Sequence, residues 1–172
     1  MAKVNESIIN FAVYEDSNEY YGMAELTLPE ITNLTAEVSG AGIAGKMESI
    51  ILGHIEAMSM TMNFRTLTKD AIALHEPRNH TLDLRAAQQS KDTVSGKTIV
   101  TPVKHVMTVK PKRLSPGKLA PAAAADASGE YAVSYWAQYL DGVKVLEIDV
   151  LNFIYIVNGV DYLAQVRKAL GK

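Results

Sequence analysis

Apolar and polar residues alternate along much of this chain, and a period of two predicts a protein built mainly of β-strands. Ile8 to Glu15 is β-branched and aromatic and predicts a strand. Asp16-Ser17-Asn18-Glu19 supplies a turn, and Tyr20 to Leu28 returns as the second strand of a hairpin that Pro29 stops. Residues 31–38 fit an extended segment or a short helical turn. From Ile55 to Phe64 the alternation is clean: Met58, Met60, Met62 and Phe64 share one face, with Ala57, Ser59, Thr61 and Asn63 on the other. Thr81 to Gln88 predicts a strand, Gln89 to Gly96 a polar loop, and Thr98 to Lys110 a long strand with Val103, His105, Met107 and Val109 on its apolar side. Pro102 marks a start, edge or bulge in that strand. Gly129 to Leu140 places Tyr131, Val133, Tyr135, Ala137 and Tyr139 opposite Ser134, Trp136, Gln138 and Leu140. Asp141-Gly142 is a two-residue hairpin signal, and Lys144 to Val150 is the partner strand.

Helical spacing occurs twice. Leu67, Ala71, Ile72 and Leu74, ahead of Pro77, predict a short mid-chain helix. Near the end, Asn158 is placed to cap a helix with Asp161 three residues on, and Val160, Leu163, Val166 and Leu170 mark its apolar face. Two stretches break the pattern. Gly40, Gly42 and Gly45 give a glycine-rich loop, taken with its flank as 39–53, and Pro116, Gly117, Pro121 and Ala122 to Ala125 give a flexible linker loop over 114–128. Seven or so strands and two modest helices predict a mainly β chain with small α content. The expected form is an antiparallel β sandwich or open barrel, one domain over 1–172, without internal repeats.

Composition narrows the field. The chain has 172 residues, is 48% hydrophobic, and carries a formal net charge of −2, which points to neither nucleic acid nor membrane. It has no cysteine, which removes disulfides, thiolate metal sites and cysteine nucleophiles. The opening Met1 to Glu6 lacks the basic and apolar regions of a signal peptide. The mostly apolar run Val143 to Val157 is interrupted by Lys144, Glu147, Asp149 and Asn152, unlike a bilayer span. These features predict a soluble protein made in the cytoplasm. Lys97 to Lys118 holds six Lys/Arg and no acid, while elsewhere 11 basic residues face 19 acidic ones, a balance of 11 − 19 = −8. Such a basic segment on an acidic body either pairs with copies of the chain or is a solvated strand and loop.

Signals for chemistry are weak. Gly40, Gly42 and Gly45 have the spacing of GxGxxG, and with Lys46 they fail GxxxxGK[ST] only at Met47, but no strand-to-helix context surrounds them, and a φ-positive connection fits better than a phosphate site. The methionine stripe suits core packing better than copper. His75 and His80 flank Pro77 without completing a metal site and read as surface histidines. His105, on an apolar side, reads as a satisfied, half-buried histidine. Glu147 and Asp149 face the same side of one strand, as an acid/base pair or as an exposed or interface-facing strand. Tyr131, Tyr135, Trp136 and Tyr139 lack interleaved basic residues and read as core or subunit contacts in preference to a base-stacking platform. No catalytic, cofactor or metal residue is assigned.

The last thirty residues carry more. Asp141-Gly142-Val143-Lys144-Val145-Leu146-Glu147-Ile148-Asp149, then Asn152, then Val157-Asn158-Gly159-Val160-Asp161 and a short basic helix resemble the end of the FII-type major tail tube proteins of contractile-tailed phages and R-type tailocins. Asn10 to Tyr14, Gly22 to Pro29, Ser39-Gly40-Ala41-Gly42 and Ala57 to Met60 are similar to earlier segments of that family in the same order. The middle, Lys97 to Ser128, departs from it.

The resemblance implies a structural subunit and not an enzyme. Such subunits form hexameric rings that stack into a hollow tube, with neighbouring sheets joined into one continuous β-barrel around a lumen for DNA or ions. A tail sheath protein surrounds the tube and drives it through the target envelope, and baseplate and tail terminator proteins complete the particle. Synthesis in the host cytoplasm, residence in a virion or tailocin and no stable membrane association follow. Candidate contacts between rings or subunits are Gly40, Gly42, Gly45, Lys46, Glu147, Asp149, Asn158 and Asp161, with the stretch Gly40 to Ile51 and the N-terminal residues meeting the next ring. Candidate lumen wall residues are Ser59, Thr61, Gln138 and Glu147, on strands 55–64 and 129–152; acids there would repel DNA phosphate. The alternative is a monomeric or dimeric β-barrel that binds a ligand or peptide with Met58, Met60 and Met62 in its pocket. A hydrolase using Glu147 and Asp149 is the third reading.

Overall fold

The computed structural model of the chain describes residues 2–20 and 22–172. In order come β1 (Lys3–Glu15), β2 (Asn18–Tyr20), β3 (Met23–Thr27), β4 (Asn33–Val38), β5 (Met47–Ile55), β6 (Met58–Phe64) and α1 (Lys69–Ala73). Then follow β7 (His80–Asp92), β8 (Thr98–Ser115), β9 (Ala127–Leu140), β10 (Val143–Asp149), β11 (Ile154–Val157), β12 (Val160–Asp161) and α2 (Ala164–Ala169). The chain is mainly β, antiparallel throughout, with two short helices, as the alternation predicts. Tyr21, within the returning strand expected over 20–28, lies outside the described residues, as does Met1.

Two-residue turns set three of the hairpins. Asp16 and Ser17, Asp141 and Gly142, and Asn158 and Gly159 all have positive φ, the geometry whose twist matches that of the flanking strands. The third turn replaces the expected helix cap. Asn158 and Asp161 belong to the β11–β12 hairpin, and α2 starts only at Ala164. Of the face assigned to that helix, Leu163 is buried while Val160 and Leu170 are exposed.

The architecture turns on β9. Along one edge it pairs with β8 over nearly its whole length. Along the other it pairs first with β6, from Ala127 to Val133, and then with β10, from Tyr135 to Leu140. Ser134 is the fork. Thr108 of β8 faces Tyr135 and Val109 faces Val133, so Ser134 is an extra residue on β9, a β-bulge. The main sheet runs β12-β11-β10-β9-β8-β7-β1-β2, and the β6–β3 leaf branches from β9 and folds over it. The bulge also breaks the expected alternation. Tyr131 and Val133 face the core before it, but Trp136 faces the core after it, and Tyr135 and Tyr139 turn outward.

The core lies between the leaves. Met58, Met60, Met62 and Phe64 from β6 pack with Val13, Leu82, Leu84, Met107, Val109, Tyr131, Trp136 and Ile148. The methionines therefore fill the core, with Met60 and Met62 at 0% exposure. The mid-chain helix is present, with the Thr68 hydroxyl accepting from the Ala71 N–H at 3.2 Å. It buries Ala71 and Leu74, whereas Ile72 is exposed.

Several boundaries shift. Residues 33–38 form a strand, and 47–53, expected as part of a glycine-rich loop, continue its partner β5. β7 runs on to Asp92, through half of the expected polar loop. β8 extends to Ser115, and residues 116–126 are a tied loop: Lys118 N–H donates to the Ala125 carbonyl at 2.8 Å and Ala125 N–H to that of Arg65 at 2.7 Å. Pro102 sits inside the sheet, opposite Ala87 of β7. Its carbonyl accepts from Asp141 N–H, so its proton-less nitrogen faces the end of β9 and no ladder bond to β7 is lost.

Met60, with 0% exposure, tests the core. Met60→Ala is expected to cost about 2–5 kcal/mol and Met60→Leu less than about 1.5 kcal/mol, read as denaturant midpoints of the unassembled subunit.

Candidate assembly surfaces

β4 and β5 form a separate two-stranded sheet, an arm whose tip is residues 39–46. Two backbone bonds shape the tip, Ile43 N–H to the Gly40 carbonyl at 3.1 Å and Gly45 N–H to that of Ile43 at 3.0 Å. Gly40, Gly42, Gly45 and Lys46 thus sit at the end of a hairpin, without the strand-to-helix context of a phosphate loop. Lys46 pairs with Glu37 at 2.9 Å, both exposed. Every residue of β4 is exposed, and Val38, Ile43, Met47, Ile50, Ile51 and Leu52 are among the exposed large hydrophobics. Two strands alone are marginal in water, so this arm has the composition of a surface meant to be covered.

At its base the arm grips the body. Between the pairs Asn33–Ile55 and Thr35–Ile50 the register slips, and within the slip Gly53 adopts φ +67° against Leu163, just before α2. A Cβ at Gly53 would lie 2.3 Å from a Leu163 methyl.

The β1 margin of the main sheet is open. Among the described residues, β2 covers only Val13 to Glu15 of β1, and its edge from Lys3 to Ala12 has no strand partner. Val4, Ile8 and Ile9 are exposed there. Inside this margin lies an apolar groove of about 160 Å³ lined by Ile8, Phe11, Leu26, Leu28, Ala86 and Val103.

The outer face of the sheet, opposite the core, carries a belt of paired charges and aromatics. The Arg85 guanidinium lies 5.2 Å from the centre of the Tyr14 ring and 2.9 Å from Asp83. Lys104 reaches Asp83 at 3.5 Å and the Tyr139 ring at 5.9 Å. Lys144 lies over the same ring at 5.8 Å and bonds Glu147 at 2.9 Å. The Tyr135 hydroxyl donates to Glu147 at 2.8 Å. Partial burial alone would raise the Glu147 carboxyl, but the bonds from Lys144 and Tyr135 outweigh it and hold it below the usual range. Asp149 accepts from the N–H groups of Leu151 and Asn152, both at 3.1 Å, and organises the turn after β10. Glu147 is thus kept ionised and Asp149 is committed to a turn, an arrangement for holding strands and not for shuttling protons.

These features, a folded-over antiparallel sandwich, an open sheet edge and an apolar arm, fit a subunit built to meet copies of itself. The family described as phage tail tube protein FII matches residues 5–171. The chain belongs to that phage tail tube family. It is 26% identical over 162 residues to the tail tube protein of Escherichia phage P2, covering 92% of this chain and 93% of that protein. Its fold is also that of the sheath/tube terminator of an extracellular contractile injection system (PVC) solved by cryo-electron microscopy. That match has a TM-score of 0.53 and 10% identity, and covers 78% of this chain and 96% of that one. The role is structural, in a tail tube, and not enzymatic.

Other candidate residues of this tail tube family member fall as follows. Asn158 occupies the β11–β12 turn, and Asp161 pairs with Arg167, whose guanidinium also donates to the Phe153 carbonyl at 2.7 Å and ties α2 to the sheet. Ser59, Thr61 and Glu147 lie on the outer face, but Gln138 stands opposite His105 and Leu146 on the inner one, because the bulge reverses the sides of β9. These four do not form one wall. Three of the six basic residues in 97–118 pair within the chain: Lys104 with Asp83, Lys112 with Glu130 at 2.8 Å and Lys118 with Asp126 at 3.0 Å.

His105 accepts from the Trp136 indole N–H at 3.1 Å, and burial lowers its pKa. His80 corrects the surface reading: it is fully buried, with Nδ1 2.7 Å from Glu15 and Nε2 3.1 Å from the Glu76 carbonyl, so both ring nitrogens are occupied and neither is open to a metal. The Tyr20 hydroxyl, at 2.5 Å, and Arg78, at 3.1 Å, complete the shell around Glu15. This network was missed, yet its signal was present: alternation puts Glu15 on the same face as Phe11 and Val13, a charge at a core position that requires partners.

Burial would raise the Glu15 carboxyl, but the bonds from Tyr20 and His80 and the charges of His80 and Arg78 bring it below 4.5. Its contribution is therefore present at neutral pH and is lost as pH falls below 4.5 through the folded-state value. Glu15→Gln is expected to lower stability at neutral pH by roughly 3–5 kcal/mol and to flatten the loss on acidification, measured as urea midpoints against pH.

Proposed function

We propose that this chain forms hexameric rings that stack into the inner tube of a contractile tail, in a phage or a tailocin. The observation that carries the reading is surface out of proportion to mass. The monomer exposes 11059 Å², whereas a compact monomer of 18.7 kDa exposes roughly 8,300 Å². The excess of about 2,800 Å² falls in the range that subunits of permanent complexes cover.

The open β1 edge and the β10–β12 edge lie at opposite margins of the sheet, so contact between neighbours joins unlike surfaces and closes into a ring when the rotation permits. Pairing β1 to the next subunit removes the hazard of a bare strand and continues the sheet around a lumen. Six is the ring size that the family resemblance implies. The outer face lines that lumen, which makes its wall balanced in charge: Arg85, Lys104 and Lys144 offset Asp83, Glu147 and Asp149. A neutral, mutually paired wall neither grips nor strongly repels passing DNA or ions. The sheath surrounds the opposite side and drives the tube on contraction, and baseplate and terminator proteins cap its ends. The arm, Gly40 to Ile51, and the N-terminal residues make contacts between rings.

Negative-stain electron microscopy of the purified protein is expected to show rings or rods. A monomer or dimer at high concentration would instead support the ligand-binding barrel. Deleting Ser39 to Gly45 is expected to leave rings but no long tubes; normal tubes from the deleted protein would remove the arm from the contacts between rings.

A further inference from the structure

The arm is amphipathic. Its register pairs Val38 with Met47 and Ala36 with Ser49, and alternation adds Leu34 to that face. Glu37 lies directly opposite Glu48, with Thr35 and Ile50 on the same side. One face is therefore apolar and the other carries two like charges that favour water. The arm's strands pair only with each other, and the apolar face is exposed, with Met47 at 52%.

The same chain carries a surface of matching character. The groove inside the β1 margin has Ile8 and Leu28 on an exposed rim and Val103 and Leu84 at a buried floor. Its volume of about 160 Å³ is that of a cavity able to take a benzene-sized group. The Val38–Met47 pair offers aliphatic side chains of that scale.

We propose that the apolar face of the arm, led by Val38 and Met47, seats in the groove lined by Ile8, Phe11, Leu28, Ala86 and Val103 of a second copy of this chain. The occupant follows from area and stoichiometry. A specific contact covers about 1,600 Å² in total, well within the excess surface of one subunit. The described residues of each chain offer this arm and this groove, so each copy gives a contact and receives one, and the contact propagates. It also unites the two segments assigned to contacts between rings, since the groove's rim is the N-terminal strand. The inference rests on the tube reading above and adds the receiving surface to it.

The absence of cysteine makes the test clean. One preparation carries Val38→Cys and another Ala86→Cys; they are mixed, assembled and treated with a short bis-maleimide. Cross-linked pairs of one chain of each kind are expected in assembled rods and not in unassembled protein, and a chain carrying both substitutions should give a ladder of multimers. Rods that yield only same-kind pairs, or a double variant linked within a single chain, overturn the docking and leave the tube reading standing. Micrographs with neither rings nor rods overturn both. Independently, Met47→Asp is expected to cut rod yield at least tenfold with an unchanged far-ultraviolet circular dichroism spectrum; wild-type yield would overturn the proposal.

Discussion

A β-strand has two edges, and β9 serves three partners with them. That is possible only because Ser134 is an extra residue, which ends the ladder to β6 and lets the ladder to β10 begin. The Ser134 carbonyl accepts from Val150 N–H and its hydroxyl donates to the Thr108 carbonyl, both at 3.4 Å, so the fork keeps its own polar groups occupied. The β6–β3 leaf can then close over the main sheet. The same extra residue turns Trp136 inward to His105 and sends Tyr135 and Tyr139 outward to Glu147, Lys104 and Lys144. Core and outer belt are two results of one inserted residue.

Folding the leaf over the sheet buries the methionine stripe but does not close the molecule. The β1 edge stays unpaired among the described residues, and many of the large aliphatic residues of β1, β4 and β5 lie outside the core. Apolar area left in water is unfavourable by about 25 cal/mol per Å², so this placement makes physical sense when the surface is covered by another copy. The polar groups argue the same way. At Glu15 and Glu147 the carboxyl pKa is lowered by fixed partners that hold strands together. Both are held ionised by these partners, so neither has a proton to donate at neutral pH.

Much of this was legible in the sequence because alternation reports burial directly. The stripe from Met58 to Phe64, the apolar side of β8 and the Asp141-Gly142 turn needed no tertiary information. Where reading failed, a longer-range cause had intervened. A bulge leaves no local mark: Ser134 is an ordinary strand residue until its partner is known, so the faces of Trp136 and Gln138 came out reversed. Residues 33–38 lack an apolar face fixed by a core, and only pairing with β5 makes them a strand. Asn158-Gly159 is a strong hairpin signal, but a capping-box reading with Asp161 took precedence over it. Asp161 does act near a helix start, by pairing with Arg167 and accepting from Leu163 N–H at 3.0 Å, one turn later than its spacing suggested.

The resemblance was strongest over the C-terminal residues, and the structure gives a reason that does not depend on chemistry. Those residues form two tight hairpins and a short helix, and Leu163 ahead of that helix is the surface against which Gly53 closes. Any side chain at Gly53 would displace Leu163 or shift the base of the arm. The direction in which the arm leaves the body is therefore set from the opposite end of the chain. A subunit whose arm docks on another copy, as proposed above, has reason to keep both halves of that contact.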